Sequence, residues 1–197
     1  LVPYKTGLDL LDYRLGYKLV AKDMDENIIG NHDAIGVVGG SFITLIGKSG
    51  TAKTAMACKM AANIVKPYKN GLVIHFDLEG AMTLTRYRNL TNLTNKELNE
   101  HIILKSDRTY LENITDTIMA ITQEKAKHKK DYTYTTEFKN EFGEKMDLYV
   151  PTVFVIDSIP QLSMKPEQKK VKAKKGSGEE DYMVDNIELG KNTYAMR

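Results

Sequence analysis

The residues of this sequence that are best suited to chemistry form one short segment: Gly47, Lys48, Ser49, Gly50, Thr51, Ala52, Lys53 and Thr54. A phosphate-binding loop has a glycine, four further residues, a second glycine, a lysine and a serine or threonine, and its backbone N–H groups surround a β-phosphate. In that pattern Lys53 would reach the β- and γ-phosphates, and the Thr54 hydroxyl would bind Mg²⁺. The segment therefore predicts nucleotide binding. The plainer alternative is an ordinary glycine-rich turn.

One position departs from the pattern, because Ala52 stands where the second glycine belongs. If this position needs a positive φ, the Cβ of alanine is unfavourable there. If its backbone is helical, alanine costs little, and Gly50 supplies flexibility nearby. Both conformations are compatible with the sequence.

Carboxylates follow two other apolar runs. If these runs are parallel strands, the carboxylates lie at the carboxyl ends where ligands collect. Asp157 is suited to hold Mg²⁺ through a water, or simply to cap the turn that follows it. Glu79 is suited to position and polarise a water in line with a γ-phosphate while Asp77 braces the turn. The alternative for Asp77 and Glu79 is a solvated acidic turn.

Apolar patterning predicts the elements that would position these residues. Short β-branched or apolar runs predict strands over residues 41–46, 71–77, 102–104 and 152–157. Composition and helical spacing predict helices over residues 54–65 and 110 to about 127. Strands separated by helices favour an α/β domain whose mostly parallel sheet is flanked by helices on both faces.

Other stretches lack a clear apolar period. Residues 129–150 are polar and tyrosine-rich, so we expect a surface insertion there, as a hairpin or a short helix. Residues 165–181 have the composition of a mobile basic loop, and a final helix is expected from about residue 179. A second basic stretch, residues 125–130, is interpreted as a solvated helix end.

Composition excludes some classes of protein but does not indicate a specific function. The 28 basic and 26 acidic residues give a net charge of +2, so total charge does not indicate a nucleic-acid binder. The single cysteine, Cys58, excludes an internal disulfide, and no apolar run approaches the roughly 20 residues of a membrane helix. We therefore expect a cytoplasmic protein without a membrane partner.

Together these residues resemble the ATPase core of RecA-type recombinases, and most closely their bacteriophage UvsX branch. Five features carry the resemblance in the family's order: residues 6–12, the pair Gly39-Gly40, the phosphate loop, Asp77-x-Glu79 and the Val-Ile-Asp-Ser run at residues 155–158. The resemblance implies a RecA-like P-loop NTPase core over residues 1–197, truncated at both ends. A phage-encoded member would act in the cytoplasm of the host cell.

The resemblance assigns roles residue by residue. Lys53 and Thr54 match the phosphate and Mg²⁺ residues, Glu79 matches the glutamate that activates the hydrolytic water, and Asp157 matches the second Mg²⁺ residue. Catalysis would thus depend on Glu79 and Lys53, with ATP and Mg²⁺ as cofactors. Tyr87 is matched to an aromatic that stacks on adenine. Ala52 is tolerable, because the UvsX branch also replaces that glycine.

In such proteins the segment after Asp157 contains a DNA-binding loop. In this sequence it is rich in lysine: Lys165, Lys169, Lys170, Lys172, Lys174 and Lys175. Lysine neutralises a nucleic-acid backbone without reading its sequence, which is consistent with such a loop, and the resemblance therefore implies single-stranded DNA as a partner. A solvated charge run is the alternative. The resemblance also implies self-association into a helical filament, and a single-strand-binding protein or a loader as a further partner.

The function implied is ATP-dependent homologous recombination by strand exchange, with ATP hydrolysed at a subunit interface by a DNA-dependent ATPase. Two alternatives fit the same residues. One is a hexameric ATPase of the replicative-helicase type. The other is a non-catalytic nucleotide- or DNA-binding adaptor in which Ala52 marks a decayed loop. Because later strands of the core are not in the sequence, we expect weak or absent DNA-stimulated hydrolysis from these 197 residues alone.

Overall fold

The structure of the protein is a computed structural model that describes residues 3–106, 109–140 and 142–164. Its first elements are short and precede the phosphate loop: β1 (Pro3–Tyr4), α1 (Asp9–Leu15), β2 (Tyr17–Lys22), β3 (Ile28–Ala34) and β4 (Val37–Val38). β1 pairs with β4 and β2 pairs with β3, both antiparallel. These pairs are separate from the sheet that follows.

The larger part of the fold begins with the last two residues of the phosphate loop, which form the start of α2. Its elements are α2 (Lys53–Val65), β5 (Leu72–Asp77), α3 (Leu84–Thr91), α4 (Asn95–His101), β6 (Ile102–Lys105), α5 (Leu111–Lys127), β7 (Thr133–Lys139), β8 (Lys145–Tyr149) and β9 (Thr152–Asp157). Short 3₁₀ turns span Lys129–Asp131 and Ile159–Gln161. Both predicted helices, and the strands predicted over 71–77, 102–104 and 152–157, are confirmed to within one residue at each end.

β5 is the central strand of a three-stranded parallel sheet in the order β6-β5-β9. Its pairing with β9 runs from Leu72 opposite Thr152 to Asp77 opposite Asp157. Because the two strands are parallel and in register, both aspartates lie at the same edge of the sheet. The α/β class and the parallel sheet are therefore confirmed.

Alternation along β5 gives the sheet two apolar faces. Val73 packs in a cluster with buried residues of α2, α3 and α4, including Ala61 and Ala62. Ile74 and Phe76 point to the opposite face and pack in a second cluster with buried residue Ile114 of α5. Helices therefore cover both faces, as the sequence predicts.

The segment before α1 is attached to α2 through buried polar contacts. Asp12 is buried, and its Oδ1 accepts hydrogen bonds from the Thr6 backbone N–H at 2.8 Å and from the Thr6 hydroxyl at 2.6 Å. Asn63 of α2 donates from Nδ2 to the Thr6 carbonyl at 2.9 Å. Gly7 has φ +75°, and a Cβ there would overlap with the side chain of Asn63. This close contact explains why a glycine follows Thr6.

The strand predicted over residues 41–46 is wrong. The segment is irregular and pairs with no strand in the described part of the chain. Phe42 and Ile46 expose 101% and 91% of their surface, so the segment is not buried either. Apolar, β-branched residues favour an extended backbone, but a strand also needs a hydrogen-bonded neighbour and a covered face. Among the described strands, none pairs with the edge of β9 that faces away from β5.

Residues 129–150 contain both a 3₁₀ turn and the β7–β8 hairpin, where the sequence predicts a hairpin or a short helix. The hairpin region contacts the rest of the domain. Asn70 Nδ2 donates to the Asp131 carbonyl at 2.8 Å, and the rings of Tyr68 and Tyr134 lie 4.7 Å apart.

Lys125 departs from the solvated helix end expected for residues 125–130. Its Nζ donates to the Val150 carbonyl at 2.6 Å, and partial burial lowers its pKa to about 8. The lysines at 127, 129 and 130 are exposed, as the sequence predicts. The basic loop predicted over 165–181 and the helix predicted from 179 lie outside the described residues.

Candidate nucleotide-binding site

The phosphate loop closes on itself through its own side chains. Lys53 Nζ donates to the carbonyl oxygens of Gly47 and Lys48, each at 2.9 Å. The Thr51 hydroxyl donates to the Lys48 carbonyl at 2.8 Å. A Cβ on Gly47 would lie 2.7 Å from Thr51 Oγ1, so the tight closure of the loop favours glycine at this position. The lysine therefore ties the end of the loop back to its beginning.

Ala52 adopts the left-handed conformation, with φ 61° and ψ 22°. Of the two conformations compatible with the sequence, the structure has the one in which a Cβ is unfavourable, at a cost of about 1–2 kcal/mol. Gly50 also has a positive φ, 77°, but a Cβ there would meet no described heavy atom within 4 Å. The constraint at Gly50 is therefore conformational and not steric.

The first turn of α2 is suited to an anion. Among the described residues, no side chain caps its backbone N–H groups, and the turn contains no acidic residue. The first N–H groups of a helix have no partner within the helix, and the helix dipole places partial positive charge there. A phosphate would satisfy both features.

Thr54 and Asp157 lie in direct contact, although 103 residues separate them in the chain. The Thr54 hydroxyl, in the first turn of α2, donates to Asp157 Oδ2, at the end of β9, at 2.6 Å. A hydroxyl and a carboxylate are oxygen ligands of the kind that Mg²⁺ prefers. In the part of the chain that is described, no group of three or more His, Cys, Asp or Glu side chains could hold a metal. Magnesium would therefore need further ligands from phosphate and water.

Asp77 is buried, with 2% of its surface exposed, and it braces the turn that follows β5. Its Oδ2 accepts a hydrogen bond from the backbone N–H of Met82 at 2.7 Å. The Leu78 N–H donates to the Asp157 carbonyl at 2.7 Å and so joins the ends of β5 and β9. The hydrogen bond from Met82 agrees with the bracing role predicted for Asp77.

Glu79 is exposed, and its Oε1 accepts a hydrogen bond from the Ser158 hydroxyl at 2.8 Å. Sequence reasoning assigns no role to Ser158, and 79 residues separate the two partners. The only indication in the sequence is that Ser158 directly follows Asp157. The structure thus links Thr54, Asp157, Ser158 and Glu79 in one chain of neighbours.

Tyr87 does not lie where the sequence predicts. Its side chain is completely buried among residues of α2, β5 and α4, and burial raises the pKa of its hydroxyl. Its ring makes an edge contact with the ring of His75, with centroids 5.7 Å apart. An adenine could not stack on this ring without opening the core, so the structure contradicts that assignment. Its helical position on α3 suits a core residue equally well.

A buried polar pair lies behind the two strand-end aspartates. Cys58 Sγ lies 3.7 Å from His75 Nδ1, and neither side chain is exposed. Burial raises the pKa of the Cys58 thiol to about 11 and lowers the pKa of His75. Both groups are therefore neutral at pH 7, and Cys58 is a core residue without thiolate chemistry.

The six lysines predicted to contact DNA, from Lys165 to Lys175, lie outside the described residues. Among the described helices, none combines the length and apolarity that a bilayer span requires. Comparison of the chain with protein-family models, with characterised proteins and with solved structures finds no significant match.

Proposed function

We propose that the protein is an ATP-dependent recombinase that binds single-stranded DNA and hydrolyses ATP at the phosphate loop. The observation that supports this proposal most is the 2.6 Å contact between Thr54 and Asp157. It joins a loop hydroxyl to a strand-end carboxylate, so that one Mg²⁺ could meet both. Neither an ordinary glycine-rich turn nor an aspartate that caps the following turn requires this contact.

Lys53 and the start of α2 would bind the phosphates. In the structure the Lys53 ammonium has two neutral carbonyl partners. Phosphate oxygens carry negative charge, so they attract the ammonium more strongly than neutral carbonyl oxygens do. Lys53 would therefore exchange its carbonyl partners for phosphate oxygens when nucleotide binds, while the N–H groups of α2 donate to the same anion.

Thr54 and Asp157 are the residues that would hold Mg²⁺, which when bound neutralises charge on the β- and γ-phosphate oxygens. Both side chains present oxygen, and both lie on regular elements, α2 and β9, that pack against each other. This fit rests on the donor types and on their contact.

Glu79 would act as the general base. It is exposed at the turn after β5, where water reaches it. As the water oxygen attacks the γ-phosphorus, Glu79 accepts the proton of that water, and the bond from phosphorus to the β,γ-bridging oxygen breaks. ADP and inorganic phosphate leave. A positioned base of this kind contributes roughly 10²–10⁴-fold to the rate.

Glu79→Gln tests the catalytic part of the proposal. Because glutamine cannot accept the proton, we expect kcat for Mg-ATP hydrolysis in the full-length protein to fall by roughly 10²–10⁴-fold, with the Kd for ATP nearly unchanged. Glu124→Gln, at an exposed position of α5, is the matched control and should hydrolyse at the parent rate. Hydrolysis by Glu79→Gln at the parent rate would contradict the assignment.

Calorimetry with Mg-ATP separates binding from chemistry. Lys53→Ala should lose ATP binding, because it removes the cation that meets the phosphates. If the intact protein binds no Mg-ATP, the non-catalytic adaptor becomes the better hypothesis. Electron microscopy with single-stranded DNA and a slowly hydrolysed ATP analogue then tests the assembly: helical filaments support a recombinase, and closed rings support a helicase-type ATPase.

A further inference from the structure

We propose that Ser158 is a positioning residue for Glu79: its hydroxyl fixes one carboxylate oxygen and leaves the other to accept the proton. This inference rests on the proposed function, because Glu79 has a hydrolytic role only if the protein hydrolyses ATP. Ser158 belongs neither to the phosphate loop nor to the pair of strand-end aspartates, so the proposed function leaves it without a role.

The backbone on both sides of the contact is already fixed. Asp77 accepts from the Met82 N–H, which shapes the turn that carries Glu79. The Leu78 N–H donates to the Asp157 carbonyl and holds the turn against the residue before Ser158. These contacts restrain the backbone around Glu79 but do not restrain its side chain, which the Ser158 hydroxyl contacts.

The hydroxyl of Ser158 is not used to support its own segment. Ser158 is the N-cap residue of the 3₁₀ turn Ile159–Gln161, a position where a serine side chain usually accepts from the backbone N–H two or three residues further on. Here it makes no capping hydrogen bond and instead donates to Glu79 Oε1 at 2.8 Å. Removing the hydroxyl should therefore affect Glu79 and not the turn.

A single hydrogen bond matters here because Glu79 is exposed. A glutamate side chain has three rotatable bonds and samples many rotamers in water, whereas a general base must come within about 2.6–3.2 Å of the proton that it removes. A carboxylate has two oxygens. With Oε1 bound to Ser158, Oε2 is held in a defined position from which it can accept a proton.

The first experiment measures steady-state Mg-ATP hydrolysis by the full-length protein. We expect Ser158→Ala to lower kcat by roughly 5- to 20-fold and to leave KM and the Kd for ATP unchanged, because the hydroxyl acts on the base and not on binding. Ser158→Thr keeps the hydroxyl and should restore most of the rate.

Two further variants test whether the effect acts through Glu79. In a Glu79→Gln background, Ser158→Ala should have little further effect. Ser106→Ala, at an exposed serine after β6, is the matched control.

The second experiment observes the contact without turnover. The protein is labelled with ¹³C at glutamate carboxyls, and the Glu79 signal is identified by its loss in Glu79→Gln. In the nucleotide-free protein we expect this signal to move in Ser158→Ala and to stay close to its original position in Ser158→Thr. A signal that does not move in Ser158→Ala overturns the proposed contact.

The outcomes separate this inference from the proposed function. If the parent protein hydrolyses ATP and Ser158→Ala hydrolyses it equally fast, the positioning role is wrong and the ATPase assignment stands. If Ser158→Ala loses activity and Ser158→Thr loses as much, the hydroxyl is not what matters, and the inference again fails. A parent protein that hydrolyses no ATP overturns both.

Discussion

Residues 41–46 precede the phosphate loop and α2 follows it, and both segments are rich in apolar residues. They differ sharply in burial: Ile46 exposes 91% of its surface, whereas Ile64 exposes 8%. α2 packs against β5, β9 and α3, so that its inward side chains meet partners. Residues 41–46 have no described strand beside them. The comparison teaches that apolar composition permits burial but that a neighbouring element decides it.

The same difference in packing distinguishes the residues proposed to bind phosphate and Mg²⁺ from residues 41–46. Lys53 and Thr54 belong to the packed side of the loop, and Asp157 ends a strand against which α2 packs. The residues proposed to bind phosphate and Mg²⁺ are therefore carried by elements that pack against each other, α2 and β9. Functional geometry of this precision is best supported by such rigid elements.

Ile64→Ala should have the largest effect on stability. It removes a buried side chain from the cluster between α2 and the sheet, and such substitutions cost about 2–5 kcal/mol. The free energy of unfolding, measured in denaturant with an unchanged m-value, tests it. A cost below about 1 kcal/mol would mean that α2 is packed no better than residues 41–46, and the comparison would fail.

Ala52→Gly lies at the junction of the two segments and should stabilise the protein by about 1 kcal/mol. Glycine relieves the left-handed conformation of Ala52, although it also raises the entropy of the unfolded chain. Ala55→Gly, within the first turns of α2, is the control and should instead destabilise by about 1 kcal/mol. Equal losses in both variants would mean that Ala52 is helical in solution.

Ile46→Ala should have the smallest effect, within about 0.5 kcal/mol of the parent free energy of unfolding, because the side chain is exposed. It deletes the same atoms as Ile64→Ala, so the two variants are directly comparable. A loss as large as that of Ile64→Ala would show that residues 41–46 are buried in solution.

The elements that could be predicted from sequence are those whose pattern reports a local property. The apolar run that ends at Asp157 and the helical spacing of Ile114 and Ile121 identify β9 and α5 correctly. Residues 41–46 are an equally apolar run but form no strand. Strand formation also requires a neighbouring strand to pair with, and the local sequence pattern does not show whether one is present. The RecA-like core is a proposal for the same reason: it is defined by which strands lie next to each other, and a local apolar pattern does not specify that order.

The site divides in the same way. The loop pattern and the strand-end carboxylates predict Thr54 and Asp157, and the structure brings these two into contact. The contact of Ser158 with Glu79 could not be predicted, because it joins positions 79 residues apart and depends on the register of two strands. The adenine role assigned to Tyr87 through the resemblance is wrong, because matching a residue type to a family position does not show whether the side chain faces a ligand or the core.

The 103 residues between Thr54 and Asp157 have a consequence for the order of synthesis and folding. A ribosome delivers the phosphate loop and α2 long before it delivers β9. The loop alone therefore lacks its partner carboxylate until residue 157 has left the exit tunnel and β9 has paired with β5. Contacts of such long sequence separation form late, because the loop between them must close first. If the proposed function is correct, nascent chains should thus be unable to bind Mg-ATP productively until the sheet is assembled.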